Sequence, residues 1–338
     1  MSNFSVLIGN WFRQNQRELP WRKTSDPYLI WISEIILQQT KVDQGLSYYT
    51  KFAKKYPSVE QLANAEEIEV LKDWQGLGYY SRARNMHYSA KLIAQKYNGI
   101  FPSDFDDIIQ LKGVGYYTAA AIASIAFGQK TAVVDGNVYR VLSRAFDIDL
   151  AIDSRKGILY FQELADNLID SSNPGEHNQA LMELGALICT PKNPKCDCCP
   201  LNEMCAALKN KTITIRPVKK KKIKVKTRYF HFLLFTFNNQ VIIEKRHQKG
   251  IWHNMYQFPL IETTDPESNF DATLRKLKIT ESEEIIHRLS HQRIHAKFHH
   301  FDSFPEDLKS NWLVIEIDEI SKYPLPRLID RYLERNII

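Results

Sequence analysis

Four cysteines fall within seventeen residues, CTPKNPKCDCCPLNEMC from Cys189 to Cys205, with six, two and five residues between successive thiols at Cys189, Cys196, Cys199 and Cys205. A comb this tight makes its segment wrap one compact centre. Four thiolates suit an iron–sulfur cube, in which each iron takes one protein sulfur. Tetrahedral zinc uses the same donors, so ligand chemistry alone leaves both open. A pair of disulfides needs an oxidising compartment, to which nothing in the chain points. Cys198, between two of the four, reads as a bystander.

At 338 residues the chain has room for two or three domains with buried cores. Its first residues, MSNFSVLIGNWFRQNQ, lack a basic stretch followed by a long apolar run. No segment elsewhere approaches the length of a membrane span. A soluble, cytoplasmic protein without a membrane partner is expected. The net charge of +6 is unevenly placed: RPVKKKKIKVKTR, residues 216–228, carries eight basic and no acidic residues and leaves the remainder near −2. Such a run either solvates a linker or lies along a polyanion.

The basic run also divides two kinds of pattern. Before it, WISEIILQQT, EEIEVLKDWQGLG, TAAAIASIAFG and NQALMELGALIC repeat apolar residues at helical spacing, which predicts an all-α region. After it, YFHFLLFTFNNQVIIEKR predicts two strands around an Asn238-Asn239 turn, and WLVIEID (312–318) a further strand. The C-terminal third is expected to be a separate α+β module.

Two segments of the helical region carry chemistry. In DIIQLKGVGYYTAAAIASIAFG (107–128), a turn over Lys112-Gly113-Val114-Gly115 precedes a helix from about Tyr116. Gly113 and Gly115 let the backbone approach a ligand, and the free amides of a new helix form an anion site suited to a DNA phosphate. Read alone, the same pattern is an ordinary helix–turn–helix corner. In VVDGNVYRVLSR (133–144), Asp135 stands at another helix start, where it could simply cap the helix. Far upstream, Glu34 lies inside the apolar WISEIILQQT helix, so burial should raise its pKa. One carboxyl able to give a proton and one able to steady positive charge are what cleavage of a glycosidic C–N or C–O bond requires.

Together, LKGVG, VDGNV, ELGALICT and the cysteine comb resemble the endonuclease III superfamily of helix-hairpin-helix DNA glycosylases. Within it, LPWR (19–22), WISEIILQQT and GLGYYSRARN (76–85) are similar to the MutY-type adenine glycosylases, over nearly all of 5–213 and more loosely over 229–338. The resemblance implies four parts: an iron–sulfur domain (1–20 with 130–213), a six-helix barrel with the helix-hairpin-helix (21–129), a basic linker (214–228) and a NUDIX-like recognition domain (229–338). It implies a [4Fe-4S] cluster on the four cysteines, with Lys192 and Lys195 against phosphate. The implied substrate is adenine opposite 8-oxoguanine, or less well guanine, in duplex DNA, bound by a monomer and swung out of the stack. Glu34 then matches the general acid at adenine N7, and Asp135 the carboxylate that steadies the sugar cation. Tyr117 and Asn137 match their orienting partners. Arg17, Leu19, Trp21 and Arg22 match contacts to the expelled adenine, and Gln179 takes a place where some relatives have Glu. Gln39 and Tyr79, with Thr40 and Leu77 beside them, match residues that wedge into the duplex near the lesion. Ser290 and His291 match a Phe-Ser-His loop that reads 8-oxoguanine, with Leu289 in place of the aromatic.

Other departures bear on the reading. Lys112 stands where relatives commonly have proline and adds a cation near the phosphate. Tyr117 occupies the place of the lyase branch's Schiff-base lysine, so strand nicking should be weak or absent. The stretch ETTDPESNFDATLRKLKITESEE lacks the glycine and glutamate-rich core of a nucleotide-hydrolysing NUDIX box. Eight of the ten histidines follow residue 229, and HQRIHAKFHH reads as surface or DNA-facing rather than metal-binding. A bifunctional pyrimidine-lesion glycosylase and a non-enzymatic lesion sensor are the alternatives.

Overall fold

The computed structural model describes residues 3–220, 225–265 and 279–336. Most of the degenerate NUDIX-box stretch and part of the lysine run therefore lie outside the described residues. The helices are α1 (Asn3–Asn15), α2 (Pro27–Leu37), α3 (Val42–Lys55), α4 (Val59–Asn64), α5 (Glu67–Asp73), α6 (Ser81–Lys96), α7 (Phe105–Ile108), α8 (Tyr116–Phe127), α9 (Gly136–Ala145), α10 (Arg155–Leu168), α11 (Pro174–Leu187), α12 (Ala206–Lys209) and α13 (Arg327–Asn336). The strands are β1 (Lys226–Phe237), β2 (Gln240–Lys245), β3 (Tyr256–Gln257), β4 (Leu260–Thr263), β5 (Glu281–Arg288), β6 (Gln292–Phe301) and β7 (Trp312–Glu316). A helical N-terminal region is thus followed by a sheet-containing C-terminal one.

Contacts group the chain into two units, residues 1–64 with 85–221, and residues 65–84 with 222–338. In the first unit, Phe4, Ile8 and Phe12 of α1 pack with Val138 and Leu142 of α9, Phe161 of α10 and Leu181 and Leu184 of α11. Ala119, Ala120, Ala121 and Ala123 of α8 are fully buried, and these small side chains let both α2 and α11 lie against that helix. Asp26 caps α2 by accepting from Tyr28 N, with Pro27 at its first turn. The basic run begins fixed rather than free. Arg216 Nε donates to Asp147 Oδ1 at 2.9 Å, and Ile152 N donates to Val218 O at 3.0 Å.

In the second unit, Asn238 and Asn239 take φ of 47° and 62°, the left-handed pair that a tight hairpin between β1 and β2 needs. β1 also runs parallel to β6, from Lys226 opposite Gln292 to Phe235 opposite Phe301, and β5 pairs antiparallel with β6. Phe298 of β6 stacks on Tyr332 of α13, with ring centroids 3.8 Å apart. Segment 65–84, helical by its periodicity, belongs with these strands. Gln75 Nε2 donates to Asp330 Oδ1 at 2.9 Å, Leu325 N donates to Gln75 Oε1 at 3.2 Å, and Lys72 Nζ donates to the Tyr323 carbonyl at 3.2 Å.

Candidate active site

In the first unit a cavity of about 180 Å³ is lined by Arg17, Leu19, Trp21, Arg22, Glu34, Thr40, Tyr117, Asp135, Asn137 and Gln179, ten of the residues singled out from sequence. It has room for far more than a single water. Glu34 is on α2 and only 7% exposed. Burial, the largest influence, pushes its carboxyl up to about 7; the charge on Asp135 adds to this, and a hydrogen bond from Tyr117 opposes it. Tyr117, one residue into α8, donates from Oη to Glu34 Oε2 at 2.8 Å and also lies 3.4 Å from Met182 Sδ. Burial and the two neighbouring carboxylates hold the Tyr117 hydroxyl protonated.

Asp135 does cap α9: Oδ1 accepts from Asn137 N at 2.8 Å and from Val138 N at 2.7 Å. Its other oxygen accepts from Asn137 Nδ2 at 2.8 Å. Burial, the largest influence, raises its pKa overall, against the opposing pull of these donors and Arg140 and of the helix N-terminus. The two carboxyls therefore differ in their partners. Glu34 is buried with Tyr117 as its donor and is raised to about 7, whereas Asp135 accepts three N–H bonds at a helix start, each of which favours its anion. Asn137 is itself fixed, its Oδ1 accepting from Arg140 Nη2 at 2.8 Å. Gly185 of α11 passes so close that an added Cβ would stand 2.6 Å from Asn137 Cβ.

Gln39 does not reach this cavity; it is exposed after α2 with φ 56°. Leu77, Tyr79, Ser290 and His291 line a different cavity, of about 590 Å³ and wholly within the second unit. There the exposed Tyr79, φ 48°, donates from Oη to Ser290 Oγ at 2.9 Å, and Ser290 Oγ lies 3.1 Å from His291 Nδ1. Arg82 backs the Tyr79 ring at 5.7 Å. Gly113 adopts φ 85° in the turn before α8, and Gly115 precedes the first residue of that helix without any side-chain cap. Lys112 Nζ stands over the Tyr88 ring at 4.5 Å. Of the clustered histidines, His231 and His299 stack in the interior, with Nδ1 and Nε2 3.2 Å apart. Burial lowers both, His299 to about 4.

Cys189, Cys196, Cys199 and Cys205 line one small cavity with Ile188, Pro194, Leu208 and Ile213, while Cys198 is exposed and outside it. Among the described residues no three His, Cys, Asp or Glu side chains converge tightly enough to hold a single metal ion. Burial, then mutual repulsion, raises Cys196 and pushes Cys199 up to about 11. Arg144 Nη1 lies 3.4 Å from Cys189 Sγ.

Glu183 of α11 escaped the sequence reading, although it too is an acid within an apolar helix. It lines the cavity with Glu34 and is bound by both Arg17 and Arg22.

Residues 32–163 match the model of the HhH-GPD superfamily of base excision DNA repair proteins, and residues 230–335 match that of the NUDIX domain. A Buchnera aphidicola (Schizaphis graminum) adenine DNA glycosylase is 37% identical over 302 residues, 89% of this chain and 84% of the relative. The chain belongs to the adenine DNA glycosylases. The human adenine DNA glycosylase is 44% identical over 213 residues, 60% of this chain and 39% of that longer protein. Among solved structures, a thermostable thymine-DNA glycosylase aligns with TM-score 0.57 and 33% identity, covering 61% of this chain and 95% of its own. As a member of this family the chain is an N-glycosidase that releases adenine in base excision repair.

Proposed function

We propose that the cavity shared by Glu34 and Asp135 receives an adenine swung out of duplex DNA from opposite 8-oxoguanine, or less efficiently guanine, and that the enzyme is monofunctional. The observation that carries this reading is the pairing of a buried carboxyl raised to about 7 with a helix-capping carboxylate on one cavity. Glu34 protonates N7, so that the base leaves neutral. Asp135 stabilises the sugar cation, or bonds to it transiently, until water adds at the anomeric carbon. Tyr117 orients Glu34 and Asn137 orients Asp135. Leu19, Trp21, Thr40, Gln179 and the two arginines hold the base; an amide at 179 serves both donor and acceptor edges of adenine. With a phenol at 117 there is no amine for a Schiff base, which favours hydrolysis without strand cleavage.

In the second unit Tyr79, with Leu77 behind it, fills the stack near the lesion, and Ser290 and His291 read the oxidised purine. The Tyr79–Ser290 hydrogen bond supports a joint role for these residues. Gln39, exposed in a left-handed turn, takes the other wedge position. The amides after Gly113 and Gly115 take a phosphate, and the exposed Lys192 and Lys195 another. The proposed domains are those of the family: 1–20 with 130–213, 21–129, the linker 214–228 and 229–338. The protein acts as a cytoplasmic monomer.

The four cavity-lining cysteines fit a [4Fe-4S] cluster. In a cube each iron takes one thiolate, and the four thiols the chain offers line one small cavity from which the exposed Cys198 is left out. Such a cluster would hold the 189–205 loop in a DNA-binding shape, and bound iron favours the thiolates that burial disfavours.

Single-turnover release of adenine opposite 8-oxoguanine, guanine, cytosine and thymine tests the substrate. The expected order is 8-oxoguanine, then guanine, then the rest, with no adduct trapped by borohydride. Equal rates on all four, or a strong covalent adduct, would overturn the assignment.

A further inference from the structure

Glu183 takes no part in the chemistry above, yet it is only 2% exposed. Arg17 donates to it from its backbone N at 3.1 Å, Nε at 2.8 Å and Nη2 at 2.6 Å, and Arg22 from Nη1 at 3.0 Å and Nη2 at 2.9 Å. Arg22 Nη1 also donates to the Arg17 carbonyl at 3.0 Å. Burial opposes ionisation of Glu183, but these bonds outweigh it and hold the carboxyl down to about 2. A buried carboxylate is tolerated only when paired in this way.

All three side chains line the cavity that contains Glu34. The other titratable groups facing it are Tyr117 from α8 and Asp135 from the start of α9. Two guanidiniums without a counter-ion would favour the ionised form of Glu34, whereas an acid catalyst has to enter the reaction protonated. Sharing one carboxylate leaves a single net positive charge on that wall. The bidentate contacts also fix both guanidinium planes, which sets the donors presented to a purine.

We propose that Glu183 is a positioning residue for adenine release: it locks Arg17 and Arg22 onto the cavity wall and cancels half of their charge, so that Glu34 faces one positive charge instead of two. The proposal rests on Glu34 as the acid.

The test is a charge series in the full-length enzyme, read as the basic midpoint of the single-turnover pH–rate profile on an adenine:8-oxoguanine duplex. Glu183→Gln leaves net charge +2 on the wall and should lower the midpoint by about one unit, so that the rate at pH ~8, taken as a fraction of its own plateau, is about tenfold below that of the wild type. Arg17→Gln leaves zero and should raise the midpoint. The double variant returns to +1 and should recover the wild-type midpoint, although its plateau falls through loss of a base contact. If Glu183→Gln does not fold, Arg17→Gln still decides through the sign of its shift: a midpoint that does not rise would overturn the proposal. Midpoints that stay at the wild-type value across the series would reduce Glu183 to a packing contact and overturn the proposal. A wild-type profile with no basic limb would instead sink the assignment of Glu34.

Discussion

Glu34→Gln should abolish adenine release and, above neutral pH, make the protein more stable. The Glu34 carboxyl is raised from an ordinary 4.5 to about 7, chiefly by burial. A group with a raised folded-state pKa contributes stability that is fully present below its unfolded pKa and lost as pH climbs through the folded one. At ~1.36 kcal/mol per pKa unit, the wild type loses about 3 kcal/mol between pH ~4.5 and somewhat above 7. Gln keeps the acceptor for Tyr117 Oη and does not titrate. Urea unfolding of both proteins at pH ~5 and ~8.5 should therefore show the stability difference moving in favour of the variant by about 2.5 kcal/mol between the two conditions. Other titrating groups are common to both proteins and cancel. A difference that does not change with pH would mean that Glu34 ionises in the fold as it does in water, and its role as a proton donor near neutrality would fall.

Tyr117→Phe removes the one hydrogen bond that holds Glu34 down, so the basic midpoint of the pH–rate profile should rise by about 1–2 units, the size of a hydrogen bond to a charged group; a fall would refute the donor role. Gly185→Ala would press a Cβ against Asn137 and shift the partner of Asp135; single-turnover release should drop about tenfold or more, a cost of ~1.4 kcal/mol in transition-state stabilisation, and wild-type kinetics would show that the close approach is not needed. Gly113→Ala places a methyl 2.8 Å from Asn85 Cβ at φ 85°, which should cost about 1–3 kcal/mol by urea unfolding and weaken duplex binding in a fluorescence titration. Cys199→Ser should bleach the visible absorption expected of an iron–sulfur protein; a colourless wild type that binds zinc would correct the cofactor.

Several residues of the candidate site were legible because local chemistry announces them. Asp135 followed by Gly-Asn is cap chemistry whatever its further role, and Glu34 inside an apolar helix signals a perturbed acid through its immediate neighbours. The Asn-Asn hairpin, the strand at 312–316 and the turn before α8 follow from residue preferences within a few positions. Partners chosen over long separations were not legible. Glu183 meets Arg22 161 residues away, and nothing in ELGALICT says which arginine neutralises its acid. Segment 65–84 has ordinary helical spacing, which predicts a helix but not the core it joins; that depends on Gln75 meeting Asp330, 255 residues on. The parallel β1–β6 pairing and the burial of His231 against His299 likewise arise from tertiary register, so a tract that reads as surface histidines contributes one of them to the interior.

In the proposed mechanism, release of the base depends above all on a protonated Glu34. The pH dependence of single-turnover adenine excision by the wild-type enzyme probes this without an intermediary: the rate should fall above a midpoint near 7, and Glu34→Gln should show no excision across the range. A flat wild-type profile from pH ~5.5 to ~8.5, or excision by the variant at the wild-type rate, would rule out Glu34 as the acid.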